Sequence, residues 1–514
     1  MKKAISLFLA LVMLVNVFAL CAFAEDSCGC GKSPIVFIDG INACDLIRDA
    51  GTENERKAFP FDDEAIPEII TENKDAVWDM LDGSFSEESE RTVINAVKSL
   101  FADVEMNDDG TSKYNVSADW GYSAYDGHKE GGRFRLCYDW RLDFFETADK
   151  IKAYIDYVKE LTGHDSVNIV GFSEGAAALT AYFSKYGYDG IDSVIWYCGA
   201  HNGVEMVGQL FSGKIKVNAG ELTAFLHDVT DNTNAYQLLS FLIQGITDIG
   251  VTGGMLKITE KIVKQLIDDG AIREIILSSF GKMPALWGMV GDEYYEAAKD
   301  ELFPTNADKE RCRALIEKID RYHYEVQVHS REIMEEAKER IGRVAVISKY
   351  DRPLIPVIEN SALQADGTIE TMHTSCGATT ANFGRMLPYN YVQAANDGHD
   401  HLSPDRVIDA STAHYPDYTW FIKHCEHSEG PEYIDELIRY IAFADHQVDV
   451  FENPDFPQYV IYHESDETVT PLTGPKDGQD EKKFIVIIKE WLWNVFDTVV
   501  TFFSSLFKVS FNEC

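Results

Sequence analysis

A five-residue turn constrains this chain more than any other feature. Gly171-Phe172-Ser173-Glu174-Gly175 stands between a short apolar run, Val167–Val170, and a helical run rich in small residues, Ala176–Tyr186. A strand that reverses into a helix through Gly-x-Ser-x-Gly makes a tight, strained turn. Small residues must flank the serine, and its hydroxyl is exposed at the carboxyl edge of a sheet. The neighbouring pattern supplies that sheet. Phe134–Tyr138 reads as a strand, and Phe144–Leu161 as an amphipathic helix with Ala148, Ile151, Tyr154, Ile155 and Val158 on one face. Val167–Val170, the helical run and the strand Ser193–Cys198 follow. This β-α-β-α-β alternation predicts an α/β fold, with a mostly parallel sheet flanked by helices. Pro34–Ile38, closed by Asp39-Gly40, is a further buried strand entering a tight turn.

Charge and length set the outer limits. The 514 residues carry 46 Lys+Arg against 85 Asp+Glu, a formal net charge of −39. So acidic a chain argues against binding nucleic-acid phosphates or anionic lipid, which requires clustered cations. The 45% apolar content excludes wholesale disorder. Residues 1–24 read as a signal peptide: Lys2 and Lys3, an apolar run from Ala4 to Leu20, then Ala22-Phe23-Ala24 as the cleavage site. The expectation is an exported protein, secreted or at the cell surface, of 490 residues and net charge −41. Nine of its ten cysteines survive cleavage, and no Cys-x-x-Cys pair exists, so a structural metal site is not expected. Buried free thiols are as good a reading of them as a disulfide framework.

The expected organisation is one core with insertions. Residues 33–202 form its first part, 203–340 a helical cap, and 341–446 the second part, with Arg343–Ser348 and Tyr418–Lys423 as strands. Residues 447–483 read as an acidic linker and 484–514 as an amphipathic C-terminal helix. The apolar face of that helix, with Trp491, Trp493, Phe496, Phe502 and Phe503, suits a membrane interface or the protein's own surface. Lys489, Glu490 and Asp497 oppose a true span.

A serine hydroxyl becomes a nucleophile when a base removes its proton and an acid orients that base. With Ser173 as nucleophile, the base is expected after the strand Tyr418–Lys423. His427, in the loop before Pro431, is preferred, and His424 is the alternative. His399, His401 and His414 lie in the irregular stretch before that strand and are weaker candidates. The acid is expected to be Asp351, just past Arg343–Ser348, with Asp366 as its main rival and Asp405 and Asp409 as further choices. The oxyanion needs two backbone N–H groups. Glu174 and Ile41 are the expected donors, since Gly40 permits close approach. No cofactor or metal is required.

With these pieces placed, the chain resembles the lecithin:cholesterol acyltransferase-like branch of the α/β-hydrolases. Pro34–Ile41 looks like that family's oxyanion strand and loop, Tyr138-Asp139-Trp140-Arg141 matches its Tyr-Asp-Trp-Arg motif, and the Ser173 turn follows at the expected distance. Met283-Pro284-Ala285-Leu286-Trp287 is a weaker echo. Phe172 and Glu174 depart from the family's usual residues, and Ala365-Asp366-Gly367-Thr368 is similar to its Gly-Asp-Gly-Thr acid segment. The resemblance is best over residues 33–203. It implies an α/β-hydrolase fold and acyl-ester chemistry on small-molecule or lipid esters through a Ser173 acyl-enzyme. The helical insertion would act as a lid, with Leu286, Trp287 and Met289 as candidate groove lining. Hydrolysis, with water as acceptor, is the leading expectation. Transfer to an alcohol, a non-catalytic binding protein and a peptidase or amidase are the alternatives.

Overall fold

The computed structural model describes residues 30–60, 85–119, 133–216, 264–355, 358–396 and 398–474, with scattered positions at 69–79 and 261–262. The signal peptide and the C-terminal helix lie outside the described residues.

The strands, in chain order, are β1 (Ile35–Ile38), β2 (Asp45–Arg48), β3 (Arg56–Phe59), β4 (Val116–Asp119), β5 (Arg133–Leu136), β6 (Val167–Phe172), β7 (Ile191–Tyr197) and β8 (Val344–Tyr350). They continue as β9 (Thr379–Thr380), β10 (Ile408–Asp409), β11 (Thr419–Lys423), β12 (Tyr459–His463) and β13 (Thr468–Pro471). Eight of them form one sheet in the order β13-β12-β11-β8-β7-β6-β1-β5. Every pairing in it is parallel except β12 with β13. The inner strands β1, β6, β7, β8 and β11 are buried on both faces because helices cover both. Val36 and Ile38 join the core under the helices Phe144–Thr162 and Glu174–Tyr186. Ile35 and Phe37 point the other way, onto Ile434, Leu437, Ile438 and Ile441 of the helix Glu432–Ala442. That is the two-residue alternation of a strand buried on both sides.

The sheet order places a crevice. From β1 the chain moves outward to β5, then returns to lay β6 on the other side of β1. In open parallel sheets ligands bind at such a reversal, outside the carboxyl ends of the strands. Here those ends are Asp39-Gly40 after β1 and Ser173 after β6.

Three expectations are corrected or extended. Residues 447–474 are no linker: Tyr459-Val460-Ile461-Tyr462 is buried and extends the main sheet. The surrounding acidic turns masked this four-residue run. Between the expected strands Pro34–Ile38 and Phe134–Tyr138 lies a three-stranded antiparallel sheet, β3-β2-β4, that the sequence reading does not name, because its half-exposed strands alternate too weakly to stand out. The described part of 203–340 is helical, yet Trp287, Leu315, Ile319, Tyr322 and Met334 belong to the same core as the sheet. Trp287 packs on Phe211, Tyr295 and Phe303 and donates its indole N–H to the Gly281 carbonyl, so it is core there. Among the described residues, Cys44, Cys198, Cys312, Cys376 and Cys425 are buried free thiols.

Candidate active site

Ser173 sits where β6 becomes a helix, with φ 56° and ψ −126°. A left-handed serine is strained by about 1–3 kcal/mol and persists only where its surroundings hold it. The Ser173 N–H donates to the Tyr197 carbonyl at 3.0 Å, and its own carbonyl accepts from Ala176 at 3.1 Å and Ala200 at 3.0 Å. Glycine is obligatory on either side for reasons of space. A Cβ on Gly171 would stand 2.8 Å from Ala176 Cα, and one on Gly175 would stand 2.0 Å from the Ile38 carbonyl. The helix can approach this closely because Ala176, Ala177, Ala178 and Ala181 leave it thin where it meets the sheet.

The structure brings His427 to the serine. Its Nε2 lies 2.8 Å from Ser173 Oγ, and its Nδ1 lies 2.7 Å from Asp366 Oδ2. The Phe172 ring stacks on the imidazole at 5.0 Å between centroids. Asp366 is fully buried, and its Oδ1 accepts N–H bonds from Ile369 at 2.7 Å and Thr368 at 3.0 Å. Burial pushes this carboxyl up, but the His427 ring and the two amides outweigh it and hold it below the usual aspartate range. An ionised acceptor thus faces Nδ1–H, which leaves the Nε2 lone pair toward Ser173. The Asp366 carbonyl also accepts the His427 N–H at 2.9 Å, so one residue fixes both ring and backbone of the histidine.

The expected acid is corrected. Asp351 does not meet His427: its carboxylate pairs with His424 Nε2 at 2.8 Å and Lys423 Nζ at 3.5 Å. After β8 the chain loops out and returns, and Arg352 bridges to Ala365 and Asp366. That return carries Asp366 to the edge that strand order alone assigns to Asp351. His424 is likewise taken by Asp351, and Asp405 and Asp409 bond Ser403 and Ser411.

Two elements near the serine can meet a developing oxyanion. A Cβ on Gly40 would stand 2.9 Å from Ser173 Oγ and 3.3 Å from the Glu174 nitrogen, so the turn after β1 lies against both. The Glu174 N–H opens a helix and has no acceptor within it. Ile41 follows Gly40 with its side chain exposed. The Tyr-Asp-Trp-Arg segment supports this turn. Tyr138 donates its hydroxyl to the Asp39 carbonyl at 2.5 Å, while Arg141, fully buried, grips Asp139 through Nε at 2.9 Å and Nη2 at 2.6 Å.

Sequence reasoning missed three groups. Lys349, buried inside β8, donates from Nζ to the carbonyls of Glu426 (2.9 Å), His427 (2.8 Å) and Glu429 (2.5 Å), clamping the histidine loop. A lysine within the apolar run Val344–Tyr350 was the available signal. The Cys198 thiol lies close to Asp366 and His427, and burial pushes its pKa well up, so it stays a thiol beside them. The Glu174 side chain, weighed only for its backbone, is fully buried, and neither carboxyl oxygen has a hydrogen-bond partner. Burial, with the Asp139 charge adding to it, raises its pKa well above the glutamate range.

No model of a known protein family matches the chain. No curated protein matches it either. One solved structure that aligns with it is a crystal structure of a Tle4-Tli4 complex, at 13% identity over 47% of this chain and 72% of that one, with a TM-score of 0.19.

Proposed function

We propose that this chain is an exported serine ester hydrolase of the α/β-hydrolase fold, acting on lipid-like carboxylic esters through a Ser173–His427–Asp366 triad. The observation that carries the proposal is the unbroken hydrogen-bond relay, 2.8 Å from Ser173 to His427 and 2.7 Å from His427 to Asp366. In this reading His427 Nε2 takes the Ser173 proton as Oγ attacks the ester carbonyl. Asp366 stabilises the imidazolium that results. The N–H groups of Glu174 and Ile41 donate hydrogen bonds to the tetrahedral oxyanion. His427 then protonates the leaving alcohol. Water, activated by the same histidine, releases the acid. The half-buried serine suits a substrate arriving from solvent, and the lipid-like substrate class rests on the family resemblance.

The test is turnover of p-nitrophenyl esters of increasing chain length by the full chain and by Ser173→Ala. The variant is expected to lose about 10⁵–10⁶-fold in kcat, with long chains preferred by the wild type. Equal turnover by both proteins would overturn the catalytic reading, and a preference for acetyl esters would overturn the lipid-like substrate.

A further inference from the structure

His399 and His401 sit in the long irregular excursion between β9 and β10, well apart in sequence from the turn Pro416–Tyr418 that leads into β11. In the fold they converge on one carboxylate oxygen. His399 Nδ1 is 3.0 Å and His401 Nε2 3.3 Å from Asp417 Oδ1, and the three ligand atoms all lie within 4.8 Å of one another. Nitrogen and oxygen donors about 2.0–2.1 Å from a tetrahedral ion stand about 3.3 Å apart. The two separations from Asp417 Oδ1, 3.0 and 3.3 Å, are close to that spacing, and the two imidazole nitrogens lie within 4.8 Å of each other.

The support around these residues has the same character. His401 is fully buried, and its Nδ1 lies 3.1 Å from Gln458 Oε1. Gln458 spends its amide N–H groups on the carbonyls of Pro416 (2.8 Å) and Thr419 (3.2 Å), so its oxygen must be the acceptor and His401 Nδ1 the donor. Nε2 is thereby turned toward Asp417. A metal-ligating histidine is held in this way, its far N–H bound to a fixed acceptor. The His401 backbone is pinned as well: its N–H donates to Gln393 Oε1 at 2.7 Å, and its carbonyl accepts from the Tyr459 hydroxyl at 2.5 Å. Phe451 walls the pair on one side, with ring centroids 4.6 Å from His399 and 5.3 Å from His401. The His399 side chain is half exposed and Asp417 one-third exposed, so an ion can enter from solvent and keep water in its remaining position.

We propose that His399, His401 and Asp417 form a binding site for a divalent transition-metal ion of the zinc class, distinct from the Ser173 centre. Two imidazoles and one carboxylate are the donors such an ion prefers, whereas calcium and magnesium prefer oxygen alone. The ion ties the excursion to the entry of β11, the strand whose far end leads to His424 and His427.

The test uses the full chain stripped with a chelator and titrated with cobalt(II), then with zinc. About one equivalent of cobalt is expected to bind with the visible absorption of a low-coordinate nitrogen–oxygen site, and zinc to displace it. Zinc should raise the unfolding midpoint by several degrees. His399→Asn, at a half-exposed position that tolerates the change, and Asp417→Asn should each weaken binding at least about 100-fold, beyond the loss seen for an outer-shell partner, and abolish the midpoint shift. Absence of saturable binding, equal binding by wild type and both variants, or a sulfur-to-cobalt band that survives His399→Asn would overturn the proposal.

Discussion

Two Asp–His pairs lie near each other in this molecule, and they do different things. Asp351 holds His424 at 2.8 Å, and Asp366 holds His427 at 2.7 Å. Chemically the pairs are alike. Both carboxyls are pushed up by burial and brought below the aspartate range by their histidines. They differ in what lies beyond the imidazole. His424 engages Asp351 through the Nε2 that would have to face a serine. His427 engages Asp366 through Nδ1 and leaves Nε2 for Ser173. Under the proposed function, the difference teaches that which ring nitrogen each contact occupies decides whether an acid and a base can serve a serine, and that the backbone sets this. Asp366 also bonds the His427 N–H, so the ring can present only one edge.

The largest break in this comparison is expected from the acids. Asp366→Asn should lower kcat by about 10⁴-fold, because an amide no longer holds the imidazole tautomer or its charge. Asp351→Asn should leave kcat within about threefold while removing an ion pair that is largely buried. Steady-state ester kinetics on the two variants separate them, and equal losses would erase the distinction drawn here.

Lys349 sharpens the comparison, since it clamps the loop of His427 through the carbonyls of Glu426, His427 and Glu429. Lys349→Met should cost about 10–100-fold in kcat with KM nearly constant, as expected for an ångström-scale misplacement of the base. A fall in unfolding midpoint with kcat intact would reduce the lysine to a scaffold role.

The smallest expected effect concerns Glu174. Its raised pKa means the folded state holds the proton more tightly than the unfolded chain, so stability is greatest at acid pH and declines as pH rises from the ordinary glutamate range toward the folded value. Glu174→Met should flatten that decline and add about 1–3 kcal/mol at pH 8, read by denaturant unfolding at several pH values. Activity should persist, because the oxyanion role proposed for Glu174 belongs to its backbone. An unchanged slope would mean the carboxyl finds a partner.

Much of this was legible in the chain. The Ser173 turn declared itself because close packing dictates Gly171 and Gly175, and the β6–β7 alternation because both faces are buried. His427 could be placed from its strand. The acid could not, because Asp351 and Asp366 both follow β8, and only the Arg352 bridge to Ala365 and Asp366 brings the second back to the sheet edge. Lys349 was hidden for a related reason: its partners are three carbonyls, which leave no mark in sequence. β12 was missed because four apolar residues among acidic turns carry too little periodicity.

The central claim is that Ser173, His427 and Asp366 act as one unit. Mass-resolved labelling of Ser173 by a fluorophosphonate, in wild type, Asp351→Asn and Asp366→Asn, tests it most directly. The account predicts a single adduct on Ser173, formed at similar rates in wild type and Asp351→Asn and at least about 10³-fold more slowly in Asp366→Asn. No adduct on Ser173, or slowing in Asp351→Asn instead, would contradict it.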